Sequence, residues 1–491
     1  MIYLGVDLGT SSIKLVAMDA NGEIKGTAGA EYGLSFPHPG WSEQAPADWV
    51  KGMEEARKKL SEKIDLKEIA GISFGGQMHG LVMLDENDNV IRPAILWNDG
   101  RTQEECDYLN KTIGRDKISA YTGNMALTGF TAPKILWVKK HEPENFARIK
   151  KIMLPKDYLA YVLSGVFCTD VSDASGMLLL DVKNRKWSKE MIEICGIRED
   201  MLAKVFESYE VVGTVRPEIA EKYGFNKDVK IIAGAGDNAA GAIGTGTTEQ
   251  GMCIVSLGTS GTVFIACDEY AVDPDNALHM FGHATGKYHL MGCMLSAASS
   301  NKWWMDEIIG TKDYAAEQAK IAEIGKNHVY YLPYLMGERT PHNDPDARGA
   351  FIGMTMDTTR ADMTLAVLEG VTFALRDSLE IARSLGVKID AVRATGGGAK
   401  SPLWRKLIAD IMNVKVEIMN SEEGPGYGGA ILAAVGCGEY ASVSEATKKI
   451  VKVKDELLPD AEAVKAYEEK YKVWKQLYPA LKGVYRDVAH K

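Results

Sequence analysis

IIAGAGDNAAGAIG, Ile231 to Gly244, places one carboxylate, Asp237, in a glycine-rich turn near the middle of the chain. Val229 to Ala233 is short, apolar and β-branched, so it reads as a buried strand that ends where Gly234 and Gly236 begin. The glycines let a ligand approach the backbone, and the small residues Asn238, Ala239, Ala240 and Gly241 let a helix start tight against it. An acid placed there reads either as chemistry or as an ordinary helix N-cap.

The opening of the chain bears on that choice. Ile2 to Val6 reads as a strand, followed by Asp7-Leu8-Gly9-Thr10-Ser11-Ser12 and a second strand from Ile13 to Met18; Asn21-Gly22 then turns the chain into a third strand near Glu23 to Glu31. A strand, a tight Gly-Thr-Ser turn and a returning strand gather backbone N–H groups and hydroxyls that suit phosphate oxygens. Asp7 does not welcome a phosphate, but it suits a hydrated magnesium ion that bridges to one. A plain β-turn is the alternative for this motif on its own. The motif recurs, however. Ser256-Leu257-Gly258-Thr259-Ser260, between the apolar runs Cys253–Val255 and Gly261–Val263, repeats it at an offset of 249 residues, from position 7 to position 256. Internal duplication implies two similar domains, expected at residues 1–245 and 246–491, whose turns face one another across a cleft. Only the first copy carries the metal-directing acid.

With 491 residues, two or three domains are expected at roughly 150 residues each. A net charge of -10 and a pI near 5.6 argue against nucleic acid, whose phosphates demand a basic face. The chain enters its first strand without a basic leader and has no window of 18 uninterrupted apolar residues, so a cytoplasmic protein away from membranes is expected. Seven scattered cysteines with no CxxC pair read as reduced, buried fillers.

Between the two copies, strands and helices alternate. Pro46 opens a helix that presents Trp49, Met53, Ala56, Leu60 and Ile64 on one face. Ile69 to Phe74 is a strand running into Gly76-Gln77-Met78-His79-Gly80, where polar groups suited to a polyol surround a flexible methionine; a structural histidine is the alternative for His79. Farther on, Ala391 to Thr395 runs as a strand into Gly396-Gly397-Gly398, a backbone on which a nucleotide can lie, and Trp404 to Met412 continues as a helix. Of the pair Trp303-Trp304, either ring is ordinary core or a stacking partner for a flat base. Val464, Tyr467, Tyr471, Trp474 and Leu477 form one face of a terminal packing helix before Pro479. Two other motifs fail. Lys400-Ser401 lacks the glycines of a P-loop, and a dinucleotide fingerprint at Gly234 would set Asp237 against a pyrophosphate.

Taken together, DLGTSSIK (Asp7–Lys14), PGWSEQ (Pro39–Gln44), GQMHG (Gly76–Gly80), AILWNDGR (Ala94–Arg101), GDNAAGA (Gly236–Ala242), SLGTSG (Ser256–Gly261), GERTPH (Gly337–His342) and GGGAKS (Gly396–Ser401) resemble the FGGY carbohydrate kinases along nearly the whole chain. The resemblance implies an α/β fold of two actin-like, ribonuclease-H-like domains with a ligand cleft between them, sugar on the first side and nucleotide on the second. It implies transfer of the γ-phosphate of ATP to a ketopentose, D-xylulose above others because of the Met78-His79 pair, with Mg2+ as cofactor. By resemblance Asp237 is the general base and Asp7 directs the metal; Met78, His79, Asp237 and Asn238 bind the sugar. Gly9, Thr10, Ser11, Gly258, Thr259 and Ser260 hold phosphates, and Gly397, Gly398 and Trp303 face the adenosine. A homodimer is the working expectation for assembly. Another ketose or polyol, a sugar-binding sensor, and an ATPase of the actin or chaperone kind are the alternatives.

Overall fold

The computed structural model describes residues 1–420 and 423–489. Its first sheet grows from the opening motif. Ile2–Leu8 (β1) and Ser12–Asp19 (β2) pair antiparallel with Asp7 opposite Lys14, and Ile24–Glu31 (β3) adds antiparallel to β2. Helix Pro46–Leu60 (α1) leads to Ile69–Gly76 (β4), parallel to β1. A long excursion through the short helix Val171–Ser175 (α2) returns as Val211–Thr214 (β5) and Lys230–Ile232 (β6), giving the order β5-β6-β4-β1-β2-β3. Helix Asp237–Gly244 (α3) follows.

The second sheet comprises Met252–Leu257 (β7), Gly261–Cys267 (β8), His279–Gly282 (β9), Tyr288–Met294 (β10), Ala391–Thr395 (β11), Lys415–Met419 (β12) and Val453–Leu457 (β13), in the order β9-β10-β8-β7-β11-β12-β13. Five strands, β10-β8-β7-β11-β12, repeat β3-β2-β1-β4-β6 of the first sheet in order and in parallel and antiparallel sense; the outer strands differ, since β13 follows β12 in the chain whereas β5 precedes β6. The duplication seen in the turns is therefore a duplication of a five-strand core, which is the paired ribonuclease-H-like arrangement. Arg360–Ser384 (α4) and Pro402–Met412 (α5) cover the second sheet, each with a side-chain N-cap, Thr359 and Ser401 respectively; α5 contains the helix read from Trp404 to Met412.

Each face of the first sheet is closed differently. On one, α1 buries Trp49, Met53, Ala56 and Leu60 against Leu4, Val6, Ile13 and Leu15; Ile64, expected on that face, falls beyond the end of α1. On the other lies a helix from the second half of the sequence, Gly424–Cys437 (α6), packed on β1, β4 and α3. The sheets thus divide near residue 245, but the packing does not. α6 approaches this closely because of its glycines. A Cβ on Gly5 would overlap the carbonyl oxygen of Gly426, and one on Gly428 would overlap that of Ala240 in α3.

Three sequence expectations are corrected. β1 extends to Leu8, so Asp7 stands in the strand and not in the turn. Asp237 is the first residue of α3, after an N-cap at Gly236, so it is neither an N-cap nor part of a loose turn. The terminal helix Ala461–Ala489 (α7) buries Tyr467, Tyr471 and Trp474 as read, yet it runs through Pro479 instead of ending there. Proline inside a helix costs about 3 kcal/mol, and here Tyr478 offsets it by stacking on His342, with centroids 3.5 Å apart, and bonding Asp344 at 2.7 Å. The seven cysteines are free, five of them buried. Among the described residues no helix is long and apolar enough to cross a membrane.

Candidate active site

Where β6 gives out, Ala235–Gly236 makes a short parallel pairing with Gly75–Gly76 of β4 and hands the chain directly to α3. This fixes Asp237 in the cleft. One carboxylate oxygen, Oδ1, accepts from the Asn238 backbone N–H at 2.7 Å and from its Nδ2 at 3.0 Å. Oδ2 makes no hydrogen bond among the described residues. Burial pushes the carboxyl up to about 6, against the Asn238 hydrogen bonds. One oxygen is positioned and the other is open: that is the arrangement a proton acceptor needs.

The backbone ahead of Asp237 is itself held from behind. Gly236 N–H donates to Ser172 Oγ at 3.1 Å, Ser172 Oγ donates to Asp170 at 2.5 Å, and Lys156, fully buried, pairs with Asp170 at 2.9 Å and Asp157 at 2.6 Å. The far end of α2 holds the Met78–His79 pair. Gly176 O lies 2.7 Å from His79 Nδ1, which assigns the proton to Nδ1 and leaves Nε2 as an acceptor. Burial keeps that imidazole neutral, well below its ordinary value. His79 has φ of +70°, and its carbonyl accepts from Thr131 Oγ1 and Lys134 Nζ at 3.0 and 2.9 Å. Met78 lies over Gly236; a Cβ there would come within 2.9 Å of its sulfur. Met78 thus packs against both Gly236, just ahead of Asp237, and Gly176, the partner of His79.

Asp7 faces the same cleft. Its carboxyl is pushed up to about 7, first by burial and then by the charges of Asp237 and Glu423, with Lys14 acting in the opposite sense. Lys14 also pairs with Glu423. Carboxylate oxygen is the donor a hard divalent cation takes, so Asp7 suits Mg2+ by donor type, while the cluster of three close ligand groups among the described residues is Glu104, Glu105 and His141, away from this site.

Next to Asp237 opens a cavity of about 470 Å³, a size that accommodates a nucleotide. Asp237, Asn238 and Gly241 line it from the first half, and Ser256, Thr262, Thr395 and Gly397 from the second. Gly397 is open, since a Cβ there would meet nothing within 4 Å, whereas one on Gly398 would press on Leu257 and Trp404. Thr259 and Ser260 sit at an exposed turn outside this lining, backed by Ala297 and Ser299 N–H groups on the Thr259 carbonyl. In the first turn, Thr10 Oγ1 accepts from Trp97 Nε1 at 2.9 Å and Gly9 O accepts from Tyr32 at 2.7 Å, while Ser11 is exposed. Trp303 packs with Trp304 in a separate cluster and does not line the cavity. The sequence reading passed over the α2 relay, and it passed over Phe264 and Arg405, which line the cavity. Ser256 and Thr262 had a signal: by the duplication they stand where Asp7 and its neighbouring strand stand in the first sheet.

Residues 2–244 match the N-terminal domain of the FGGY family of carbohydrate kinases, and residues 253–437 match its C-terminal domain. The chain is 39% identical over 484 residues to the xylulose kinase of Escherichia coli strain K12, covering 98% of this chain and 99% of that one. Its fold superposes on a xyloylose kinase from Brucella ovis with a TM-score of 0.94 at 40% identity, over 99% of this chain and 100% of the other. A gluconate kinase from Lactobacillus acidophilus superposes with a TM-score of 0.95 at 27% identity, over 99% of both chains. Backbone shape alone thus does not choose the sugar.

Proposed function

This chain belongs to the FGGY family of carbohydrate kinases, and from that premise we propose that it transfers the γ-phosphate of ATP to D-xylulose, giving D-xylulose 5-phosphate. The observation that carries the reading is the open Oδ2 of Asp237 at the wall of the nucleotide-sized cavity, with Met78 packed over the Gly236 that precedes it. The xylulose kinase relatives, at about 40% identity over nearly the full chain, support the choice of sugar.

In this reading the sugar lies against Met78 and His79, with its terminal hydroxyl toward Asp237 Oδ2. Asp237 accepts the hydroxyl proton as the oxygen attacks the γ-phosphorus, and ADP leaves. Asn238 holds Oδ1 so that the basic lone pair stays aimed at the sugar. His79, neutral and fixed by Gly176, receives a sugar hydroxyl at Nε2. The backbone at Thr395–Gly397 and the two Gly-Thr-Ser turns align the triphosphate. Bound Mg2+ supplies charge neutralisation on the phosphate oxygens. Closing the two halves excludes water from the γ-phosphate.

The test is a coupled assay of ATP consumption over a panel of ketopentoses, ketohexoses, gluconate and glycerol. D-xylulose is expected to give the highest kcat/KM. ATP consumption independent of any sugar would replace the reading with an ATPase, and a preference for gluconate would replace the substrate. A pH profile adds a second check. Asp237 must be ionised to accept a proton, and burial places its titration at about 6. kcat/KM for the sugar is therefore expected to be flat above that pH and to fall about tenfold per unit below it.

A further inference from the structure

The sugar-side groups described so far all belong to the first half of the chain. From the second half, the loop Gly337–Asn343 reaches across to them. Asn343 Nδ2 lies 3.5 Å from Met125 Sδ, and the Arg339 guanidinium lies beside Gly129, where a Cβ would be 3.7 Å from it. Gly129 precedes Phe130, whose ring packs 4.8 Å from that of His79. The loop is firmly held. Glu338 Oε1 accepts from the N–H groups of Arg339 at 2.7 Å and Leu295 at 3.0 Å, and Thr340 exchanges two hydrogen bonds with Cys293 of β10.

The side chain on this rigid loop is half-buried, and among the described residues no carboxylate forms an ion pair with it. The other enclosed arginines differ. Arg101 has Asp99 and Glu43, and Arg376 has Glu380 and Glu468. The nearest carboxyl, Glu338, is pushed up to about 8 by burial, so the guanidinium is not held in an ion pair and keeps its donors for a group that arrives from outside. The field of Arg339 reaches His79, His279 and Lys134, and Cys293 lies within the fields of both Arg339 and Asp237. Lys134 Nζ bridges Gly129 O at 2.6 Å and His79 O at 2.9 Å, so Arg339, lying beside Gly129, stands next to the backbone that carries His79.

We propose that Arg339 is a substrate-binding residue supplied by the second half of the chain, donating hydrogen bonds to the oxygens at the carbonyl end of the ketose, opposite the hydroxyl that faces Asp237. A ketone oxygen only accepts and a guanidinium only donates, so the two are matched in type, and the charge strengthens the bond. Because the residue comes from the second half, the sugar would tie the two halves together. This inference rests on the ketose kinase reading above.

The test is steady-state kinetics of full-length R339Q and R339K. In R339Q the ketopentose KM is expected to rise about 30-fold, the size of a lost charge-assisted hydrogen bond, while the ATP KM stays within about twofold. R339K keeps the charge but not the planar fork and should fall between parent and R339Q. Thermal unfolding of each variant separates folding from binding; if R339Q does not fold, the rise in R339K alone decides. A sugar KM within about threefold of the parent in the folded variants, or an equal rise in the ATP KM, overturns the assignment. If the panel shows a different preferred sugar, the same comparison with that sugar still reads out Arg339, so failure of the substrate reading and failure of this one remain distinct.

Discussion

Replacing Asp237 with asparagine is expected to lower kcat at least a hundredfold, leave the KM values for sugar and ATP within about threefold, and leave the protein folded. The expectation follows from what the substitution keeps. Asparagine retains an Oδ1 that accepts from the Asn238 N–H and Nδ2, now at 2.7 and 3.0 Å, so α3 keeps its first turn. It loses the one feature the proposed chemistry uses, an ionisable oxygen with no protein partner. A positioned base is worth roughly 10²- to 10⁴-fold, and the remainder of phosphoryl transfer is alignment and charge neutralisation, which this variant leaves intact. The same change should abolish the acidic limb near pH 6, because the group responsible for it is gone. Turnover within a few-fold of the parent, measured on protein with an unchanged melting profile, would remove Asp237 from the role of base.

The fold was legible where one physical rule governs a segment. α1 obeys helical periodicity because one face meets the sheet and the other meets water, and Trp49, Met53, Ala56 and Leu60 are buried accordingly. The twin Gly-Thr-Ser turns announced the duplication because both copies keep the same turn between the same two strands. Legibility failed where tertiary contact overrides local rule. Gly424–Cys437 carries glycines that disfavour helix and has no polar face, so it offers no periodic signal; it is helical because it is buried between β1 and α3, a context no window of sequence contains. Pro479 ends helices by local sterics, and only the stacking of Tyr478 on His342 shows why this one continues.

The candidate site divides in the same way. Asp7, Met78, His79, Asp237 and Gly397 were legible because glycines loosen the chain beside them or because the motif repeats. The relay from Lys156 through Asp170 and Ser172 to the Gly236 N–H was not, because its members are spread over 80 residues and become one network only when α2 folds against Ala235–Gly236. Trp303 was singled out for its chemistry as a large flat ring, yet its neighbours Trp304, Tyr314 and Phe351 make a cluster of their own.

The contact that joins the halves should be the most sensitive point outside the chemistry. Gly428→Ala adds one methyl where α6 crosses α3, and that methyl would overlap the Ala240 carbonyl oxygen. Backbone, unlike a flexible side chain, has no rotamer to yield, so α3 must shift or α6 must leave the sheet. Overpacking of a core costs about 1–3 kcal/mol, occasionally more; here the upper end is expected, about 3 kcal/mol, because both partners are main chain. For the protein that survives, α3 carries Asp237 in its first turn, and displacing it by even half an ångström misaligns the base with the γ-phosphate, so kcat is expected to fall at least tenfold. The measurement is denaturant unfolding together with turnover at saturating sugar and ATP. The pairing of effects is what matters. Loss of stability with full turnover in the folded fraction would show that α6 merely fills space, and full stability would show that α3 and α6 are not in backbone contact at all. The expected result, both losses from one methyl, would show that a helix from the second half of the sequence sets the position of the acid contributed by the first.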